Sequence, residues 1–122
     1  NRLTYARGWV PDMSVTLEKI KELIAGGEFR ISEHGYDELA DDKIFVRDAI
    51  KGVASGICVE DYPNFAKGAC VLILEHDAQG IPFHAVWGIP KGCESPAVLI
   101  TAYRPDPKQW SKNFMKRLEH EQ

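Results

Sequence analysis

Ala69-Cys70-Val71-Leu72-Ile73-Leu74-Glu75-His76 and Pro82-Phe83-His84-Ala85-Val86-Trp87 are two apolar, β-branched runs joined by a polar connection, Asp77-Ala78-Gln79-Gly80. Runs of this length with Gly at the link, where a positive φ is wanted, predict an antiparallel hairpin. Downstream, Pro90 to Pro96 forms a second tight link into Ala97 to Tyr103, and Pro105-Asp106-Pro107 stops that run. Upstream, Ile57-Cys58-Val59-Glu60 is a shorter run halted by the turn cluster Asp61-Tyr62-Pro63-Asn64. Four strands in a meander follow.

Before Gly56 the period is helical. Leu17, Ile20, Leu23 and Ile24 recur on one face from Ser14, and Gly26-Gly27 supplies the stop. Ser32 is positioned to cap a second helix, Glu33 to Leu39, that carries His34 and Tyr36. Asp41 or Asp42 is the expected cap of a third, with Phe45, Val46, Ala49, Ile50 and Val53 on one face. Beyond Asp106, Trp110, Phe114 and Leu118 at four-residue spacing predict a closing helix from about Lys108 to Glu119, with Lys108, Lys112 and Lys116 along its other face. The expected class is therefore α+β: helices packed on a four-stranded antiparallel sheet, with a C-terminal helix, in a single domain spanning residues 1–122.

Composition narrows the setting. With 44% hydrophobic and 27% charged residues, a 122-residue chain can bury one core but hardly two. No apolar run approaches a membrane span, since Ala69 to Leu74 is cut by Glu75-His76-Asp77. Residues Asn1 to Gly8 contain Arg2 and Arg7 without an apolar stretch, so no signal peptide is expected there. Cys58, Cys70 and Cys93 are odd in number and lack Cys-x-x-Cys spacing, which points to a reducing, cytoplasmic compartment and to core packing for the first two. The net charge of −3 has the wrong sign for bulk electrostatic attraction to nucleic acid, so any such binding has to be local.

No phosphate-cradling Gly-rich loop, paired zinc motif or Gly-x-Ser-x-Gly elbow occurs, which sets aside the well-marked nucleotidases, zinc hydrolases and serine hydrolases. Isolated polar residues remain. His34 falls in the first turn of its helix, where free backbone donors can attract an anion; it is either an acid/base group or a structural histidine bonding a loop carbonyl. His84 lies mid-strand, facing away from Phe83 and Ala85 and with Val86, either buried and hydrogen-bonded or lining a cleft. Tyr103 and Arg104 point to opposite faces unless the strand breaks at Pro105. Arg104, Lys67 and Lys91 are the cations available to a phosphate, unless they serve only solubility. His76 and His120 are expected to be exposed. A metal site from His34, His84 and a carboxylate has no recognisable ligand spacing, and neither metal nor cofactor is expected.

Taken in order, Ser32-Glu33-His34, Val59-Glu60-Asp61-Tyr62-Pro63, Gly80-Ile81-Pro82-Phe83-His84-Ala85-Val86 and Ile100-Thr101-Ala102-Tyr103-Arg104-Pro105 resemble the bacterial domain-of-unknown-function family 4258 over roughly Ile31 to Trp110. That family is grouped with small RNA-cleaving toxins of the RelE, MqsR and BrnT kind, built as helices on a curled antiparallel sheet. The resemblance implies a metal-independent endoribonuclease paired with an antitoxin protein that covers its active face. It further implies His34, His84 and Tyr103 as catalytic residues and Arg104 as a phosphate clamp. Relatives commonly follow the histidine with Ala and place an arginine four residues on; this chain has Gly35 and Glu38 there. The carboxylate, with Asp37, Asp41 and Asp42 nearby, motivates the alternative of a non-catalytic protein-interaction module on the same scaffold.

Overall fold

The computed structural model describes residues 14–119. Helix α1, Val15–Ala25, begins as expected: Ser14 Oγ accepts from the Leu17 N–H, and Gly27 takes φ 77° after the last turn. Next comes a strand that periodicity did not predict, β1, Phe29–Ile31. Three residues are too few to display a period of two, and these sit directly between a helix stop and the next cap. Ser32 then starts α2, Glu33–Asp41, its Oγ accepting from Gly35 N at 2.9 Å. The third helix is shorter than expected. It runs from Val46–Lys51 as α3 and tightens into a 3₁₀ turn, Gly52–Ser55. Phe45, exposed at its N-cap, makes no side-chain cap, so the expected Asp41 or Asp42 cap is not used.

Strands β2 (Ile57–Tyr62), β3 (Cys70–His76), β4 (Pro82–Gly88) and β5 (Ala97–Tyr103) form the expected antiparallel meander. β1 adds to β5 in parallel, which makes a five-stranded mixed sheet of order β1-β5-β4-β3-β2 rather than four antiparallel strands. One face, carrying Val71, Ile73, Phe83, Ala85, Trp87, Leu99 and Ala102, packs on Leu17, Ile20, Leu39, Ala49 and Val53 of the helical layer. At about 25 cal/mol per Å² of apolar surface, this layer contact is the main source of stability. Cys58 and Cys70 are buried, as expected, and Cys93 is exposed.

Two β-bulges determine what the other face carries. Cys58 pairs with Ile73, but Glu60 pairs with Leu72, so Val59 is an extra residue in β2. Trp87 pairs with Leu99 and Val86 with Thr101, so Ile100 is the extra residue in β5. Without them, Glu60 would share the core face of Cys58, and Tyr103 that of Leu99. Each bulge flips the side chains beyond it and sends Glu60 and Tyr103 to the outer face.

The C-terminal helix does not form. Residues 107–109 turn, Trp110 and Arg117 make an isolated antiparallel bridge, and Phe114 adopts φ 62°. The competing force is local: Asp106 Oδ1 accepts from Lys108 N, Ser111 Oγ from Lys116 N and Asn113 Oδ1 from Met115 N. Such side chains offer the backbone an alternative to the helical ladder. Lys108, Lys112 and Lys116 consequently do not form a helical stripe. Residues 105–119 instead make a strap across the outer face. Among the described residues no helix is long and apolar enough to cross a membrane; Asn1 to Gly8 and His120 fall outside them.

Candidate functional site

His84 and Tyr103 are directly opposed across β4 and β5, both on the outer face. Tyr103 Oη lies 3.2 Å from His84 Nδ1, and His84 Nε2 lies 2.9 Å from the Phe114 carbonyl. A carbonyl can only accept, so Nε2 carries the proton and, in the neutral ring, Nδ1 accepts from the Tyr103 hydroxyl. The imidazole is fully buried, with Trp110 edge-on at 4.5 Å between ring centroids. Burial pushes its pKa below the ordinary 6.5, against the Phe114 carbonyl and Glu60, which favour the charged form. Phe114 presents that carbonyl from a left-handed conformation that costs a non-glycine residue about 1–2 kcal/mol.

Beside this pair stands a second cluster. Arg117 holds Glu60 in a fork, Nε to Oε2 at 2.7 Å and Nη2 to Oε1 at 3.1 Å, while Tyr62 Oη donates to Oε1 at 2.7 Å. The Arg117 hydrogen bonds hold Glu60 below the ordinary carboxylate range, with Tyr62 helping and burial opposing. Tyr103 moves the other way: burial and Glu60 raise its phenol above 10, more than Arg117 lowers it. The Arg117 guanidinium lies 4.8 Å over the Trp110 ring, and its side chain is 63% exposed. Two of its five donors meet Glu60, which leaves others for a ligand.

Both clusters open on one cleft of about 260 Å³, lined by Glu60, Tyr62, Phe65, Cys70, Leu72, Val86, Tyr103 and Arg117. A carboxylate, a guanidinium and a phenol thus face the same space, among apolar and aromatic walls. Chemically, a carboxylate can take a proton, a guanidinium can hold an anion and a phenol can give a proton.

The residues singled out from sequence are distributed more widely. His84 and Tyr103 come together. His34 does not line their cleft; it is exposed on α2, with Nε2 3.4 Å from Glu38 Oε1. Arg104 turns its guanidinium to the β3–β4 hairpin, with Nη2 2.9 Å from Asp77 Oδ2 and Nη1 3.3 Å from the carbonyls of Ile81 and Pro82. Lys67 and Lys91 are exposed at the opposite end of the sheet, linked by the Lys91 N–H donating to the Lys67 carbonyl at 3.1 Å. His76 is exposed. Glu60, Tyr62 and Arg117 were not found by sequence reasoning. The bulge at Val59 conceals the facing of Glu60, and the helical spacing beyond Asp106 conceals that of Arg117; Glu60 beside Tyr62, two residues apart before a Pro-Asn turn, was the available signal. Among the described residues no three His, Cys, Asp or Glu side chains gather where a metal ion could be held.

No curated protein and no solved structure matches the chain significantly. The model of the family described as Domain of unknown function (DUF4258) does match, over residues 31–104, which takes in Glu60, Tyr62, His84 and Tyr103 but ends before Arg117. Covering more than half of the sequence, that match places the chain as a member of the DUF4258 family.

Proposed function

We propose that this protein is a metal-independent endoribonuclease that cleaves RNA in the Glu60–Arg117–Tyr103 cleft. The single observation that carries the reading is the divergence of two acid/base groups around one guanidinium, Glu60 held ionised and Tyr103 held protonated. Glu60 takes the proton of a ribose 2′-hydroxyl as the 2′-oxygen bonds to phosphorus. Arg117 neutralises the charge that gathers on the phosphoryl oxygens. Tyr103 turns its O–H from His84 Nδ1 to the departing 5′-oxygen and gives up its phenolic proton there, leaving a 2′,3′-cyclic phosphate. Proton exchange with water then restores both groups. His84 is a positioning residue: its Nδ1 fixes the phenol oxygen, and the Phe114 carbonyl fixes the ring. The kinship with RelE, MqsR and BrnT-like toxins belongs to this reading, as does a bacterial antitoxin protein that would cover the outer face.

Incubating labelled RNA with purified protein and excess EDTA tests it. The expected product carries a cyclic phosphate end, and Tyr103→Phe and Glu60→Gln each lower the rate about 100-fold or more, the usual worth of a positioned acid or base. Cleavage is expected to survive His34→Ala. With base and acid displaced downward from 4.5 and upward from 10, the rate should stay level as pH crosses 6.5. A steep inflection there, or loss of activity in His34→Ala alone, would return the role to a histidine.

One observation favours the second reading, a protein-interaction module: Glu60 already occupies Arg117, and Tyr62 and Phe65 are exposed at the cleft's rim. Wild-type protein that leaves RNA intact under all these conditions would favour it.

A further inference from the structure

A second cleft, of about 470 Å³, lies at the end of the sheet where the β2–β3 turn meets the β4–β5 loop and the start of α1. Gly68 permits that meeting. It has φ 124°, and a Cβ there would strike the Ile89 carbonyl, while the Ile89 N–H donates to the Ala69 carbonyl at 2.9 Å. Lys19 and Lys91 line this cleft together with Asn64 and Thr16, and among the described residues no Asp or Glu does. In a chain of net charge −3 this is a locally positive hollow. Its volume falls in the range of ordinary ligand sites.

Phe65 lines both this cleft and the Glu60–Arg117–Tyr103 cleft, and its ring is 53% exposed. The two hollows therefore share one aromatic wall. An exposed ring between an anion-binding site and a lysine-lined hollow is how single-stranded nucleic acid is held: bases stack on aromatic faces while cations follow the backbone. Double-stranded RNA, with its bases already stacked, gains nothing from such a wall. On the far side of Lys19 the character changes, since Glu22, Glu28 and Glu94 line the neighbouring hollow. Three carboxylates repel a further phosphate, so the track is short.

We propose that single-stranded RNA crosses Phe65 from the Glu60–Arg117–Tyr103 cleft into the second cleft, where a base stacks on Phe65 and Lys19 and Lys91 hold one flanking phosphate. This rests on the ribonuclease reading and adds to it a substrate class and a length: three nucleotides fill the track. The side chains of Phe65, Lys19 and Lys91 are exposed, so replacing them leaves the core intact.

Fluorescence anisotropy with 2′-O-methyl oligonucleotides, which cannot be cleaved for want of a free 2′-hydroxyl, tests the assignment. Affinity is expected to rise from dinucleotide to trinucleotide and to level off beyond it. In Lys19→Gln/Lys91→Gln and in Phe65→Ala the trinucleotide binds about tenfold more weakly, while the double lysine variant, whose side chains lie outside the Glu60–Arg117–Tyr103 cleft, keeps wild-type dinucleotide binding and cleaves the unmodified dinucleotide at the wild-type rate. The double lysine variant also loses about 0.7 from the slope of log K against log salt, one phosphate on a single strand. If dinucleotides are cleaved normally but the variants bind trinucleotide like wild type, the second cleft is not a subsite and the ribonuclease reading stands. If neither oligonucleotide binds and RNA is not cut, both fall.

Discussion

Glu75 is a carboxyl group in the wrong place for a charge. It is 1% exposed and faces the helical layer, and among the described residues only Oε2 has a partner, Trp87 Nε1 at 3.4 Å, while Oε1 lies against Gly52 with none. Burial pushes its pKa well above 4.5, with Asp48 adding and the Trp87 donor opposing. The unfolded chain ionises Glu75 above about pH 4.5 while the folded chain keeps it neutral, so ionisation favours unfolding. Its contribution to stability is whole below the unfolded pKa and is lost as pH climbs towards the folded one. Glu75→Gln removes that titration. The difference in Tm between variant and wild type should widen in the variant's favour from pH 4 to pH 8, by several degrees, because each pH unit in the window is worth about 1.4 kcal/mol. A pH-independent difference in thermal melts would show that Glu75 ionises normally.

Elements explain what could be read from sequence and what could not. Ser14 and Ser32 cap helices because their oxygens satisfy nearby donors, a rule that needs only local sequence, and it located α1 and α2. The β3–β4 hairpin was equally legible from its apolar runs. β1 was not, since three residues gain strand geometry only by pairing with β5, some 70 positions along. The face of His84 followed from alternation within an unbroken strand. Those of Glu60 and Tyr103 follow from bulges, and a bulge leaves no mark on composition. The strap misled because Trp110, Phe114 and Leu118 keep helical spacing while Asp106, Ser111 and Asn113 divert the backbone. Its packing carries a prediction. Trp110 is 5% exposed and edge-on to His84, and burial is the largest cause of that histidine's lowered pKa. Trp110→Ala should cost about 3–5 kcal/mol, as buried aromatic truncations do. In the folded variant, NMR titration should find the His84 pKa raised toward 6.5. An unmoved value would mean that something other than the strap keeps the ring dry.

At the scale of the molecule Arg104 and Arg117 are placed for different work, the first for holding the fold and the second, on the ribonuclease proposal, for binding. Arg104 ties distant parts together: its N–H donates to Asp42 Oδ2 at 2.6 Å, at the end of α2, and its guanidinium reaches Asp77 and two carbonyls of the hairpin. Asp77 in turn accepts from the N–H groups of Gln79 and Ile81 at 2.9 Å each. The Ile81 N–H does most to hold the Asp77 pKa below 3.8, and Arg104 adds to it. A depressed carboxyl pKa contributes stability that is present above the unfolded value and lost as pH falls through the folded one. The hairpin lock should therefore persist through neutral pH and fail below about pH 3.8. Arg117, by contrast, is 63% exposed and among the described residues ties the strap to β2 alone, so removing it leaves the layers in place. Arg104→Gln should lower stability by about 1.5–3 kcal/mol, the range for charge-assisted hydrogen bonds, with little change in oligonucleotide affinity. Arg117→Gln should reverse the pattern, with a small change in Tm and dinucleotide binding about tenfold weaker or worse, a loss of roughly 1.4 kcal/mol. Paired thermal melts and anisotropy titrations on the two variants read both quantities. If Arg104→Gln instead abolishes binding at unchanged Tm, the phosphate clamp is Arg104 and the site belongs on the hairpin side of the sheet.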